Sequence, residues 1–150
     1  MDSPNITWFA KVRSSDKYMS TNNIFAGTYT KKTPVIVDIQ LWNNRYGVID
    51  VEDLKDFYIN IFFKDTEDSS LLEYCTVVYR NDVLTKDITN KIATLQFPED
   101  IVISGVSNDG SLENHDNYIN LEFIFNTSDT LLKEDDLKSL YFKIEKNNDI

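Results

Sequence analysis

One cysteine, Cys75, and one histidine, His115, are all the thiol and imidazole chemistry that this 150-residue chain carries. A lone cysteine excludes an internal disulfide and fits synthesis in a reducing compartment. With one of each, no Cys/His grouping offers a zinc site. Cys75 lies between Tyr74 and Thr76 in a stretch of strand character, and His115 lies in a polar loop. A nucleophile pair is therefore not expected, and both residues read as structural. Glycine is limited to four positions and proline to three, and there is no glycine-rich or GK[ST] element to cradle phosphate. Arginine is confined to Arg13, Arg45 and Arg80, and the net charge is -10. Such a balance opposes binding to nucleic acid or to an anionic membrane, which both depend on Lys and Arg neutralising phosphates. No apolar run approaches the roughly 18 residues of a membrane span. The opening residues, Met1 to Trp8, have neither a basic region nor an apolar core, so neither an ordinary export signal nor an anchor is expected.

What the chain has is alternation. Val35, Val37, Ile39 and Leu41 share one strand face, with Ile36, Asp38, Gln40 and Trp42 on the other. Strands of the same kind are expected at Asn5–Val12, Phe57–Phe63, Leu72–Tyr79, Ile92–Phe97, Ile101–Val106, Tyr118–Phe125 and Leu140–Ile144. Ser107–Asn117, with its Asp109-Gly110 turn dipeptide, would link two of them as a long hairpin loop. One short helix is expected over 130–138, capped by Ser128 or Asp129. The stretch 13–34 reads as a long polar loop or docking arm, carrying Phe25 and Tyr29 as apolar anchors. These features define an all-β chain: one domain over 1–150, an antiparallel β-sandwich of about eight strands, immunoglobulin-like or jelly-roll-like.

A pattern is used twice. Val51–Phe63 and Glu134–Ile144 share an acidic, leucine-bearing turn that feeds a strand, so that Asp53, Leu54, Lys55, Tyr58 and Ile61 match Asp136, Leu137, Lys138, Tyr141 and Ile144. Each copy follows another strand, Val35–Trp42 or Tyr118–Phe125. Two active sites of one design in so small a domain are less plausible than one crossover geometry used twice, so the repeat reads as scaffold.

Carboxylates are numerous, but no spacing marks an acid/base pair, and no enzymatic activity is expected. Calcium is the one ion with candidate ligands, either Asp65, Glu67 and Asp68 or Asp109, Glu113 and Asp116; neither set keeps an EF-hand register, and solubility alone accounts for such charges. Asn5-Ile6-Thr7 and Asn126-Thr127-Ser128 match the glycosylation sequon by chance in an asparagine-rich chain. Trp42, Arg45 and Tyr46 are the best candidate surface, of the residue types favoured where proteins or sugar rings are bound. The competing reading is that Trp42 closes the open end of the core.

The succession Val35–Trp42, crossover, Phe57–Phe63, charged turn, Leu72–Tyr79 resembles immunoglobulin-like modules of tailed-phage virion proteins, such as the N-terminal domain of baseplate upper proteins. That resemblance implies a non-enzymatic structural brick, made in the host cytoplasm and carried in the virion. It would be oligomeric and joined to other structural proteins through strand edges and loops; Phe25, Tyr29, Trp42, Arg45 and Tyr46 are the residues expected to make the partner contacts. The AT-rich codon usage implied by abundant Asn, Asp, Ile and Lys is associated with low-GC bacteria and their viruses. A carbohydrate-binding or host-recognition domain built on the Trp42–Tyr46 turn is the alternative.

Overall fold

A computed structural model describes residues 1–13, 17–29, 35–63, 75–89, 92–97, 100–125 and 138–147, with backbone alone for 23–29, 62–63 and 138–147. The described strands are β1 (Ile6–Val12), β2 (Met19–Ser20), β3 (Asn23–Tyr29), β4 (Val35–Asn43), β5 (Tyr58–Phe63), β6 (Cys75–Tyr79), β7 (Asp82–Val83), β8 (Thr85–Thr89), β9 (Ile92–Gln96), β10 (Tyr118–Phe125) and β11 (Lys138–Asn147). Sheet I has the order β2-β1-β4-β10-β6-β7 and sheet II the order β3-β11-β5-β9-β8. All these pairings are antiparallel. The chain is an all-β protein of two open antiparallel sheets, as in a β-sandwich.

Period-two alternation decides which face each strand turns inward. From sheet I come Trp8, Ala10, Val37, Ile39, Leu41, Cys75, Val77, Leu121 and Phe123; from sheet II come Ile59, Ile61, Ala93 and Leu95. All are buried in one hydrophobic cluster. Leu54 and Ile103, which lie outside the strands, complete it by exchanging both backbone hydrogen bonds at 2.9 Å. Two edges are only two residues long, β2 and β7, which blunts sheet I against pairing with other chains. Arg80 and Asn81, both at positive φ, make the tight turn between β6 and β7.

Three expectations are corrected. The stretch 13–34 is not one loop: β2 pairs with β1 in sheet I, and β3 pairs with β11 in sheet II. Asn23, Ala26 and Gly27 give β3 a weak local strand signal, so the tertiary partner supplies what the sequence withholds. A strand also forms at Thr85–Thr89, which is not among the expected strands; its Lys86 and Asp87 suit a charged edge. Ile101–Val106 forms no strand, only the bridge at Ile103. Side-chain amides occupy its carbonyls: Asn43 donates to Ile103 O, and Asn117 to Ser104 O and Val106 O. The helix expected over 130–138 falls outside the described residues except for Lys138, which opens β11.

The duplicated pattern has a structural counterpart. Ile61 pairs directly with Ile144, the residue that the repeat equates with it. The offset between those two also carries Val35–Trp42 onto Tyr118–Phe125, and these strands pair along their full length, Val35 with Phe125 and Trp42 with Tyr118. Each copy therefore runs from sheet I to sheet II, and both strand pairs are related by local two-fold symmetry.

Candidate functional site

The best-defined surface is the end of the sandwich where β4 finishes and β10 begins. β4 ends at Asn43 and is followed by Asn44, and both are buried. Backbone carbonyls can only accept, which fixes the orientation of each amide. Asn43 accepts from Asn5 N and donates to Glu52 O at 2.9 Å and Ile103 O at 3.1 Å. Asn44 donates to Ile49 O and Gly105 O, each at 2.8 Å. Asn108 donates to Asn44 O and Val106 O and accepts from Gly110 N. Buried Asn117, in the 3₁₀ turn His115–Asn117, reaches Ser104 O and Val106 O at 2.9 Å and Asn43 O at 3.3 Å. Asp50 and Asp53 accept from Ser107 N and Gly105 N. Four amides and two carboxylates thus tie the 44–53 and 103–117 loops into one unit. Its glycines are required sterically: a Cβ on Gly105 would meet the carbonyls of Val51 and Glu52, and one on Gly110, at φ 77°, would enter the Tyr46 ring.

Trp42 belongs to the outer face of sheet I yet is fully buried. It stacks on Tyr118 with centroids 4.4 Å apart, and its indole N–H donates to Gln40. The Arg45 guanidinium lies 4.6 Å from the Trp42 centroid, 4.4 Å from that of Phe9 and 5.0 Å from that of Tyr46, and donates to Gly110 O. Trp42, Arg45 and Tyr46 are thus brought together. Arg45 and Tyr118 occupy Trp42, which is no platform for an external ring. Phe25 and Tyr29 lie on β3 in the other sheet, and their side chains are outside the described set.

On these clamped loops several large apolar side chains face outward: Val48 at 91% exposure, Ile49 at 64%, Tyr46 at 63%, Leu112 at 53% and Val106 at 46%. Except for Tyr46, the sequence reading missed them. Their signal was Val48-Ile49 following Gly47 in a turn, apolar residues with no strand period to absorb them.

Elsewhere, sheet I carries a charged group on its outer face. Asp38 and Glu122, opposite each other on β4 and β10, are both engaged by Arg13, at 2.7 Å in the case of Asp38. These bonds, to Asp38 first and Glu122 second, raise the Arg13 pKa. The Cys75 thiol is buried in the core and pushed up to about 12 by desolvation. His115, 3.4 Å from the Tyr118 hydroxyl, sits at the opposite end of β10 from Cys75. Asp109 is held below the usual carboxylate range by the Ser111 N–H and then by Asn114. Among the described residues no three His, Cys, Asp or Glu side chains group as metal ligands, so Asp109, Glu113 and Asp116 do not converge; Asp65, Glu67 and Asp68 lie outside that set.

The class defined by fold and site is a two-sheet β-protein that presents apolar side chains on a rigid loop end. Comparison with protein-family models, with curated proteins and with solved structures finds no match to this chain.

Proposed function

We propose that the chain is a structural assembly protein, a virion component of the tail, baseplate or capsid-associated kind, which works through protein–protein contacts and not through catalysis. One observation carries the reading: Tyr46, Val48, Ile49, Val106 and Leu112 are exposed on loops that buried amides hold fixed. Exposing large apolar groups is unfavourable in water, and fixing them beforehand removes the ordering cost of binding. The resemblance of the strand succession to tailed-phage immunoglobulin-like modules supports the virion assignment. Full burial of Trp42 counts against a sugar-stacking surface at the 42–46 turn.

Co-expression with the products of the genes flanking its own, followed by native mass spectrometry, tests the proposal. A hetero-complex is expected, weakened at least about tenfold by the double change Val48→Asp and Ile49→Asp, since each loses roughly 1.5–3 kcal/mol of burial. A chain that stays monomeric, finds no partner among those products and binds glycans would overturn it.

A further inference from the structure

The charge around the loop end identifies the chemistry of what it binds. The apolar group is built on two cross-tied turns, with Asn108 N donating to Gly47 O at 3.1 Å and Ser107 N to the Asp50 carboxylate at 2.8 Å. Beside Val106 opens a recess of about 470 Å³, lined by Met1, Asp50, Glu52, Asp53, Lys55 and Ser104. Three carboxylates there outnumber the cationic groups of the lining, the Lys55 ammonium and the Met1 α-amino group. Asp50 and Asp53 each accept one backbone N–H, which fixes the carboxylate and leaves further acceptor capacity. Arg45, the nearest guanidinium in sequence, is held among three aromatic rings and Gly110 O.

We propose that the partner seated on this end is a different protein, with an apolar centre rimmed by lysine or arginine, one of whose basic side chains enters the recess between Asp50–Asp53 and Ser104–Val106. This rests on the assembly reading above. A second copy of the chain is the wrong occupant, because an isologous contact would set these carboxylates against themselves in a protein of net charge -10. Arginine suits the recess best, since its fork can meet two carboxylate oxygens while its plane covers an apolar neighbour.

The test uses the whole isotope-labelled chain and three short peptides: one with a central Trp-Leu pair flanked by arginines, one with glutamates in place of the arginines, and one with serines in place of the Trp-Leu pair. The arginine peptide is expected to shift the amides of 46–53 and 105–112 and to bind at least about tenfold more tightly than either counterpart. Glu52→Lys, whose side chain takes no part in the loop clamp, removes most of that preference. Equal affinity for the arginine and glutamate peptides, no binding of the arginine peptide, shifts confined to another surface, or an unchanged preference in Glu52→Lys would each overturn the proposal. Dimerisation through this end in light scattering would do the same. If the Val48→Asp and Ile49→Asp chain loses its co-expressed complex while the peptide arms fail, the interface stands and the basic rim does not; if the complex survives those changes, the interface itself is wrong.

Discussion

Asn43 is the side chain on which the loop end depends most, and its replacement by alanine has a cost that can be worked out. The residue is fully buried and makes three hydrogen bonds, to Asn5 N, Glu52 O and Ile103 O. Ile103 O keeps the bond from Leu54 N. Glu52 O and Asn5 N keep only what water reaches. Three bonds at about 1 kcal/mol each give a loss of about 3 kcal/mol. For a domain of this length that lowers the melting temperature by roughly 6–12 °C. Asn43→Asp sharpens the test, because the carboxylate keeps the acceptor and turns negative charge toward two carbonyls. Burial raises its folded pKa above the unfolded value of about 3.9, since the protonated form alone can donate. The stability of this variant is then fullest below that unfolded value and is lost as pH rises through the folded one. At pH 7 Asn43→Asp should be the weaker of the two variants, and near pH 4 the gap should narrow. Urea denaturation of both, with exposed Asn120→Ala as a control, measures this. An Asn43→Ala chain within about 0.5 kcal/mol of the parent, or an Asp variant no worse than Ala at pH 7, refutes the clamp.

Arg45→Ala should cost about 1–2 kcal/mol and red-shift the emission of Trp42, with Arg45→Lys restoring only part because the planar stack on Phe9 and Trp42 is lost. An unchanged spectrum would show that Arg45 does not shield the indole. Gly105→Ala should lose roughly 1–3 kcal/mol by thermal unfolding, its methyl group meeting the Val51 and Glu52 carbonyls. Cys75 should resist a thiol reagent until denaturant is added. The thiol is neutral when folded up to about 12, whereas the unfolded thiol ionises near 8.5. The stability of the parent relative to Cys75→Ala should therefore fall as pH rises across that window, and a constant difference would refute the assignment. Arg13→Ala should cost under about 1 kcal/mol, less at high salt, since the ion pairs with Asp38 and Glu122 are largely exposed.

How much of this was legible depends on where a strand sits. Interior strands such as β4 and β10 announce themselves, because one face must be apolar to meet the other sheet. The all-β class, the inward set Val37, Ile39 and Leu41, and the bounds of β10 followed from that. Edge strands β3 and β8 carry no such demand and read as loops. Ile101–Val106 failed the opposite way: its apolar alternation was real, but Asn43 and Asn117 claimed its carbonyls. In an asparagine-rich chain no local pattern separates a clamping Asn from a solvated one, since the bonds span 60 or more residues in the cases of Asn43 to Ile103 and Asn44 to Gly105. For Trp42 the strand face was read correctly, and its burial came from Arg45 and Tyr118, which pairing and the following turn bring over the ring.

The twofold pattern also constrains where function can reside. Antiparallel partners run in opposite directions, so two crossovers that leave β4 and β10 must leave from opposite ends of the sandwich. Even the asparagine that ends β4 is echoed in sequence, since Asn126 follows Phe125 as Asn43 follows Trp42. What distinguishes the loop end, the recess residues Glu52, Asp53 and Lys55 apart, lies outside the repeat. It is the pair of segments that the repeat does not contain as equivalents, Tyr46–Asp50 and Gly105–Leu112, which carry the exposed Tyr46, Val48, Ile49, Val106 and Leu112. Changes that weaken partner binding without unfolding the chain should accordingly fall in those two segments and at Glu52 in the adjoining recess, whereas changes of the repeat's core residues, such as Leu54→Ala, should reduce stability by about 2–5 kcal/mol and affect binding only through unfolding.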